Sequence, residues 1–370
     1  MQPIQIIFLN SQKKFRNFWN KKLTKKLKQP IDLKTAIVIL NWNGEKMLKC
    51  FLPSVIKNTP KKDTEIIIAD NGSTDSSITF IKNNFSEVKI IELKKNYGFA
   101  EGYNKALEKI DSNYYILLNS DVEVTPGWLN PLIELMDKDP KVAAVQPKIL
   151  NWKKKDEFEY AGAAGGFIDK LGFPLCRGRV LDIMEKDNGQ YNNVSSIFWA
   201  SGACMAIKAK FFREAGGFDS DFWAHMEEID LCWRLKNKGL KILYTPDSSV
   251  YHLGGGTLPY NNPFKLFLNF RNSLWLLHKN LPSKKFVRIL ITRLLLDDAG
   301  AIRWLITGDF KDFLSVIKSH IAYYHSLPIL NKKRKKLKSI TPQKWHPEII
   351  CRSIIFKYYF ERKKYFNDIL

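Results

Sequence analysis

The chain has 370 residues, 45% hydrophobic and 26% charged, with 59 Lys+Arg against 37 Asp+Glu for a formal charge of +22. This is enough for one large domain with an appendage, and it excludes a disordered chain, a collagen and a disulfide scaffold. The excess charge sits at the ends: residues 1–34 hold 9 basic and 1 acidic residue, residues 261–370 hold 22 and 7, and 28 and 29 lie between. A neutral middle with basic ends fits docking beside anionic lipid headgroups better than wrapping a nucleic acid, which calls for basic residues on the folded recognition surface.

The first 34 residues place Phe15, Trp19, Leu23 and Leu27 four apart among Lys13, Lys14, Lys21, Lys22, Lys25, Lys26 and Lys28. The pattern reads either as a helix lying in a membrane interface or as a disordered basic arm, because short isolated helices are marginal in water. Ile4 to Leu9 precede the lysines, the reverse of a secretory signal, in which charge comes first. The five cysteines are widely spaced with no Cys-x-x-Cys pair, which indicates neither a disulfide framework nor a thiolate zinc site and fits a reducing cytosol.

From Thr35 onward short apolar runs alternate with helical stretches. Strands are predicted over Thr35 to Leu40, Glu65 to Asp70, Val88 to Leu93 and Tyr114 to Leu118, and helices over Glu45 to Lys57, Ser76 to Asn83 and Ala100 to Ile110. This alternation predicts an α/β fold with a doubly wound, mainly parallel sheet and helices on both faces. Polar clusters follow the strands at Asn41 to Gly44, Asp70 to Asp75 and Asn119 to Glu123. The carboxyl ends of such strands form the ligand crevice, so the three clusters describe the rim of one site. Residues 150–200, rich in glycine and aromatics, predict loops and short strands over that crevice.

Further on, Ala203 to Ile207 reads as a strand, Glu228 to Lys238 as a helix stopped by Gly239, and Leu240 to Thr245 and Ser249 to His252 as two strands. Past Gly254-Gly255-Gly256 the chain turns basic and aromatic, which sets a boundary near residue 260. The expected organisation is an N-terminal extension over 1–34, a domain over 35–260 and a basic, mainly helical region over 261–370. The apolar stretch Phe286 to Thr307 carries Arg288, Arg293, Asp297, Asp298 and Arg303, too many charges for a span in hydrocarbon. Lys332 to Lys338, with six basic residues in seven, reads as a solvated run or a lipid-headgroup contact.

Several residues carry two readings each. Asp70 ends an apolar strand, and the segment Asp70 to Asp75 is either a capped turn or a site where Asp70 accepts the N–H of a pyrimidine base while the next helix N-terminus faces phosphate. Asp121 and Glu123, two apart on an extended segment, point the same way and either share a hard cation with a diphosphate or solvate a loop. Glu227, Glu228 and Asp230 open a helix, as charges complementing its dipole or as the base that takes a proton from an acceptor hydroxyl. His252 is an ordinary strand-end histidine or a metal ligand. No Walker loop, Gly-x-Gly-x-x-Gly or Ser-His-Asp spacing occurs, so NTPase and dinucleotide readings have no support.

Six segments in order carry a family resemblance: Ile37 to Gly44, Ala69 to Asp75, Asn96 to Asn104, Leu118-Asn119-Ser120-Asp121, Ser201-Gly202-Ala203 and Glu227 to Arg234. Together they resemble the inverting family 2 glycosyltransferases, in particular the bacterial rhamnosyltransferase-like branch with the GT-A fold, over roughly residues 35–256. The resemblance implies that Asp70 contacts the base of a nucleotide-diphosphate sugar and that Asn41, Asn43, Asn96 and Asn119 line the same pocket. It implies that Asp121 and His252 hold a divalent cation, Mg2+ or Mn2+, against the diphosphate, and that Glu228 is the catalytic base, with Glu227 the neighbouring alternative. Two positions depart from the usual pattern. Asn119 replaces an Asp and removes one negative charge from the cation site, and Glu228 replaces an Asp and adds a methylene.

The implied reaction moves a sugar, with dTDP-rhamnose or a UDP-hexose favoured as donor, to a hydroxyl of a saccharide or polyprenyl-linked acceptor in cell-surface polysaccharide biosynthesis. The implied location is cytoplasmic, peripheral to the inner face of the cell membrane, with an anionic membrane surface as partner and no nucleic acid. The competing expectation is a non-catalytic protein of the same fold that binds within a polysaccharide assembly complex.

Overall fold

A computed structural model describes residues 35–254 and 262–370. The stripe of Phe15, Trp19, Leu23 and Leu27 and the glycines Gly255 and Gly256 lie outside the described residues. The first half runs β1 (Thr35–Asn41), α1 (Glu45–Asn58), β2 (Thr64–Asp70), α2 (Ser77–Asn84), β3 (Lys89–Glu92), α3 (Gly98–Leu107), β4 (Tyr114–Asn119), β5 (Val122–Val124), α4 (Asn130–Lys138) and β6 (Val142–Asn151). Short strands follow: β7 (Gly166–Asp169), β8 (Pro174–Cys176), β9 (Arg179–Val180), β10 (Ile183–Met184) and β11 (Ser195–Ser196). Then come β12 (Cys204–Lys208), α5 (Ala209–Glu214), α6 (Glu227–Asn237) and β13 (Lys241–His252). The remainder is α7 (Pro263–Asn280), α8 (Ser283–Thr307), α9 (Phe310–His325), α10 (Leu327–Ile340), β14 (Ile349–Ile350), α11 (Ile354–Tyr359) and α12 (Phe366–Ile369).

The main sheet has the order β11-β13-β6-β12-β4-β1-β2-β3, with β5 paired to β13. Strands β1 to β4 are mutually parallel where they pair, and β6 and β13 are parallel, while β12 runs antiparallel between β4 and β6. Both faces of β1 are covered: Ile37 and Ile39 belong to one buried cluster with Leu48, Leu52 and Leu132, and Ala36 and Val38 to another with Ala100 and Tyr103. A strand buried on both sides reads as a continuous apolar run, which is why the predicted strands match the observed ones closely. One boundary differs. Leu240 to Thr245 and Ser249 to His252 form a single strand, β13, with a register shift between Thr245 and Ser249 where Pro246 has no N–H for the ladder.

Residues 150–200 form the expected loops and short strands, which build a second sheet in the order β10-β9-β8-β7-β14. Its last strand comes from the C-terminal region, with Ile349 opposite Ile168. Helix α7 also joins the core: Leu274, Trp275, Leu276 and Leu277 are buried in the same cluster as Phe198 and Trp233. All five cysteines are free thiols. Among the described residues no helix is long and apolar enough to cross a membrane, and the apolar run of α8 is interrupted by a buried Arg293–Asp297 pair at 2.8 Å.

Charge cements α7 to the rest. Lys279 Nζ lies 2.5 Å from Asp219 Oδ2 and 2.8 Å from Asp230 Oδ1, and Asp230 also accepts from Arg234 Nε and Asn280 Nδ2, each at 2.8 Å. Lys333 pairs with Asp219 and Asp221, and Arg334 donates to the carbonyls of His278 and Leu281, so part of the basic run 332–338 is structural. Burial opposes charge on Asp219 and Asp230, but the ammonium of Lys279, together with Lys333 for the first and Arg234 for the second, outweighs it and holds both carboxyls below their usual range. Their stabilising effect is therefore present above the unfolded-state value of 3.8 and is lost as pH falls. Lys279→Met leaves two buried carboxylates undercompensated, and is expected to lower unfolding free energy by about 3–5 kcal/mol in urea titration; a change below about 1 kcal/mol refutes the role given to this cluster.

Candidate functional site

Strands β1, β2 and β4 end side by side, with Asn41 opposite Asp70 and Leu40 opposite Asn119. At this edge the polar side chains bind one another. Asn41 Nδ2 donates to Asp70 Oδ1 and Ser73 Oγ, each at 3.1 Å, and the Ser73 amide donates to Asp70 Oδ2 at 3.0 Å. Asn43 Oδ1 accepts from the Thr74 amide at 2.7 Å, and its own amide donates to Ser73 Oγ at 2.9 Å. Next to them Asn96 Oδ1 accepts from Asn71 Nδ2 and from the Gly98 amide. The result is a rigid shelf in which two loops are locked to each other.

Two residues 131 apart in sequence meet at the next strand end: His252 Nε2 lies 3.1 Å from Asp121 Oδ1, both buried. His252 Nδ1 lies 3.1 Å from Glu159 Oε2, and Asn119 Nδ2 is 3.5 Å from His252 Nε2. Burial opposes a charge on His252, yet the carboxylates of Glu159 and Asp121 outweigh it and hold its pKa well above the usual imidazole value. Such a pair fits a hard cation. Two ligands each about 2.1 Å from one octahedral ion lie about 3.0 Å apart, close to the Asp121–His252 separation, and a carboxylate on the far nitrogen is the usual support of a metal-bound histidine. Among the described residues no group of three or more His, Cys, Asp or Glu forms a complete cage, so these donors suit a cation shared with a phosphate-bearing ligand. Glu123 does not join them. The turn at Ser120 and Asp121 breaks the alternation expected of an extended segment, and Glu123 instead accepts from Trp152 Nε1 at 2.8 Å and from Lys155 at 3.0 Å.

Glu227 and Glu228 open α6 from a strained loop. Trp223, His225 and Met226 have φ of 65°, 70° and 72°, a region that costs a side-chain-bearing residue about 1–3 kcal/mol. Two contacts hold the strain. The amides of Phe99 and Ala100 donate to the Trp223 carbonyl at 2.7 and 3.1 Å, and Asn272 Nδ2, from α7, reaches the carbonyls of Phe222, Ala224 and His225 at 3.0, 2.8 and 2.8 Å. Oε2 of both glutamates has no hydrogen-bond partner among the described residues. Burial, then the neighbouring Glu228 charge, drives the Glu227 carboxyl well above the usual range, and burial pushes Glu228 up to about 7. Asp230, by contrast, is spent on Arg234, Lys279 and Asn280 and is structural.

All of this borders one cavity of about 590 Å³. Of the residues singled out in the sequence, Asn96, Asn119, Asp121, Glu227, Glu228 and His252 line it, while Asn41, Asn43 and Asp70 form the shelf behind Asn71 and Trp42, which do line it. The sequence reading passed over Asn71, Glu159, Asn272 and two cavity arginines, Arg179 and Arg293. Of these only Asn71 carried a signal, since it stands inside a quoted motif.

Residues 36–213 match the family described as glycosyl transferase family 2. These residues form a family 2 glycosyltransferase domain. It is similar to an N-acetylglucosaminyl-diphospho-decaprenol L-rhamnosyltransferase of Mycobacterium tuberculosis, 24% identical over 234 residues that cover 58% of this chain and 75% of that one. It is also similar to a low-salt glycan biosynthesis hexosyltransferase of Haloferax volcanii, 22% identical over 70% of this chain and 80% of the other. Among solved structures, GalNAc-T7 with UDP, GalNAc and Mn2+ superposes with a TM-score of 0.53 at 21% identity, over 68% of this chain and 49% of that one. S. aureus TarS 1-349 in complex with UDP-GlcNAc does so at 0.53 and 13% identity, over 81% and 83%. These are likenesses of fold, and the fold is GT-A.

The glycosyltransferase keeps Glu228 at a cost that pH reveals. A carboxyl whose folded pKa is raised from 4.5 to about 7 favours folding below 4.5 and loses that contribution as pH rises through 7. Because Gln resembles the protonated acid at every pH, Glu228→Gln is expected to melt with the parent at pH 4.5 and a few degrees above it at about pH 8. An equal offset at both pH values contradicts the burial argument.

Proposed function

We propose that this glycosyltransferase moves a sugar from a nucleotide-diphosphate donor to an acceptor hydroxyl by a single displacement with inversion. The observation that carries the reading is the convergence, on one cavity, of the Asp121–His252 pair with two glutamate oxygens that have no hydrogen-bond partner among the described residues. Asp121 and His252 would hold a divalent cation, Mg2+ or Mn2+, with Glu159 orienting His252. When bound, that cation supplies positive charge beside the departing diphosphate. Asp70 and Asn96 would receive the base, with Asn41 holding Asp70 in place directly and Asn43 holding Ser73, whose amide donates to Asp70. Glu228, half-buried and pushed up to about 7 by burial, would accept the acceptor hydroxyl's proton, while the adjacent Glu227 carboxyl is driven well above the usual range by burial and by the Glu228 charge and so holds its proton more tightly. Two carboxylates retained in a desolvated mouth favour turnover over the non-catalytic alternative, because a binding role does not need their cost.

The rhamnosyl- and hexosyltransferase names of the relatives support rhamnose or a hexose as the sugar, carried here on dTDP or UDP, and a lipid-linked saccharide as acceptor. The Mn2+ in GalNAc-T7 supports the cation. A peripheral position on the inner face of the cell membrane is supported by α8, which turns Val287, Ile291, Leu295, Ile302 and Ile306 to solvent beside exposed Lys284, Arg288 and Arg303.

Glu228→Gln is expected to retain stabilisation by nucleoside diphosphate with Mn2+, while sugar transfer falls about 10²–10⁴-fold; transfer at the parent rate would remove Glu228 as the base. In flotation, the protein is expected to rise with anionic vesicles and to stay down with neutral ones, and equal behaviour with both removes the membrane claim.

A further inference from the structure

Two arginines line the cavity with donors left over. Arg179 is 5% and Arg293 3% exposed. Arg179 donates through Nη1 to the Leu181 carbonyl at 3.2 Å and through Nη2 to the Pro174 carbonyl at 3.5 Å and Cys176 Sγ at 3.7 Å, and its guanidinium stands over the Tyr160 ring at 4.4 Å. Arg293 donates through Nε to Asp297 at 2.8 Å and stacks on Phe173, 3.7 Å from the ring centroid. Arg179 Nε and Arg293 Nη1 have no hydrogen-bond partner among the described residues. A buried guanidinium N–H with no acceptor costs free energy unless a ligand supplies one, and a guanidinium flattened against an aromatic ring presents its remaining donors in a fixed fork that suits phosphate.

Their place in the fold separates them from the donor. Asn119, Asp121 and His252 lie at strand ends of the main sheet, whereas Arg179 comes from the small sheet and Arg293 from α8; Glu159, beside His252, comes from the loop that precedes the small sheet. The wall around them is apolar, with Phe173, Leu181, Leu266 and Phe270. Arg293 faces inward from the same helix whose outer side exposes Val287, Ile291 and Leu295. A chain anchored in an apolar phase beyond α8 would thus bring an attached phosphate to the inner face of that helix.

We infer that Arg179 and Arg293 clamp the phosphate of a lipid-diphosphate-linked acceptor, so that the acceptor is recognised by its anionic linker as well as by its sugar. This rests on the glycosyltransferase reading for the word acceptor, but the site itself requires only a phosphate on an apolar chain.

The test is calorimetric titration of decyl diphosphate into the full chain in EDTA, which denies a diphosphate any cation at Asp121 and His252. Binding is expected in the parent, with decanol inert, and about tenfold or more weaker in Arg179→Lys and in Arg293→Lys. Both variants keep the charge and lose the fork, and lysine at 293 still faces Asp297, so melting curves near the parent's are expected. Asp121→Asn should bind decyl diphosphate as the parent does. Undiminished binding by both lysine variants, loss in Asp121→Asn, or equal binding of decanol overturns the clamp. Displacement of decyl diphosphate by phosphatidylglycerol vesicles would reassign the arginines to bilayer phosphate and also overturn it. No turnover is needed, so failure of Glu228→Gln to slow transfer and failure of this titration are separate results.

Discussion

Lys279 stands with its ammonium between two buried carboxylates, Asp219 and Asp230, and the working face of the molecule depends on that contact. Without the cation the carboxylates repel each other in a medium that screens poorly. With it, α7 is pinned against α6, and Asn272 on the same helix comes within reach of three loop carbonyls. The loop can then sustain positive φ at Trp223, His225 and Met226, and the two glutamates are delivered to the cavity. The chemistry thus sits downstream of an ion pair that touches no substrate.

That dependence explains why the compositional boundary near residue 260 is not a boundary of the core. The region beyond it supplies one wall of the cavity, an edge strand of the second sheet and the amide that braces the loop before α6. Its charge is partly consumed inside: Arg271, Lys279, Arg293, Lys333 and Arg334 all have partners within the protein. A net charge summed from sequence therefore overstates what α8 and α10 present outward, and the basic residues that remain exposed border an apolar stripe.

Much of the strand-end side of the cavity was legible in the sequence because its signals are local. Buried parallel strands are uninterrupted apolar runs, and the polar residues after them must lie at one edge. The meeting of Asp121 with His252 was legible only through the order of motifs, since no periodicity links residues 131 apart. Glu123 was misplaced because one turn residue reverses the side to which an extended segment points. The cavity wall formed by the small sheet and α8 was not legible. Arg179 lies among short strands too irregular to predict, and Arg293 reads in sequence as a blemish in an apolar helix, when it is buried against Phe173 with its charge matched by Asp297. Asn272 gives no sign at all in a helix of mixed character; its value lies in the carbonyls it happens to face.

The small sheet closes only when β14 lies beside β7, and those strands are about 180 residues apart in the chain. A ribosome adding about 5–20 residues per second needs roughly 10–35 s to cover that distance. Strands β1 to β6 precede that interval, β12, β13 and α8 are added during it, and the wall bearing Arg179 lacks its edge strand until its end. The strand ends of β1, β2 and β4 are thus synthesised well before the wall that carries Arg179 gains its edge strand.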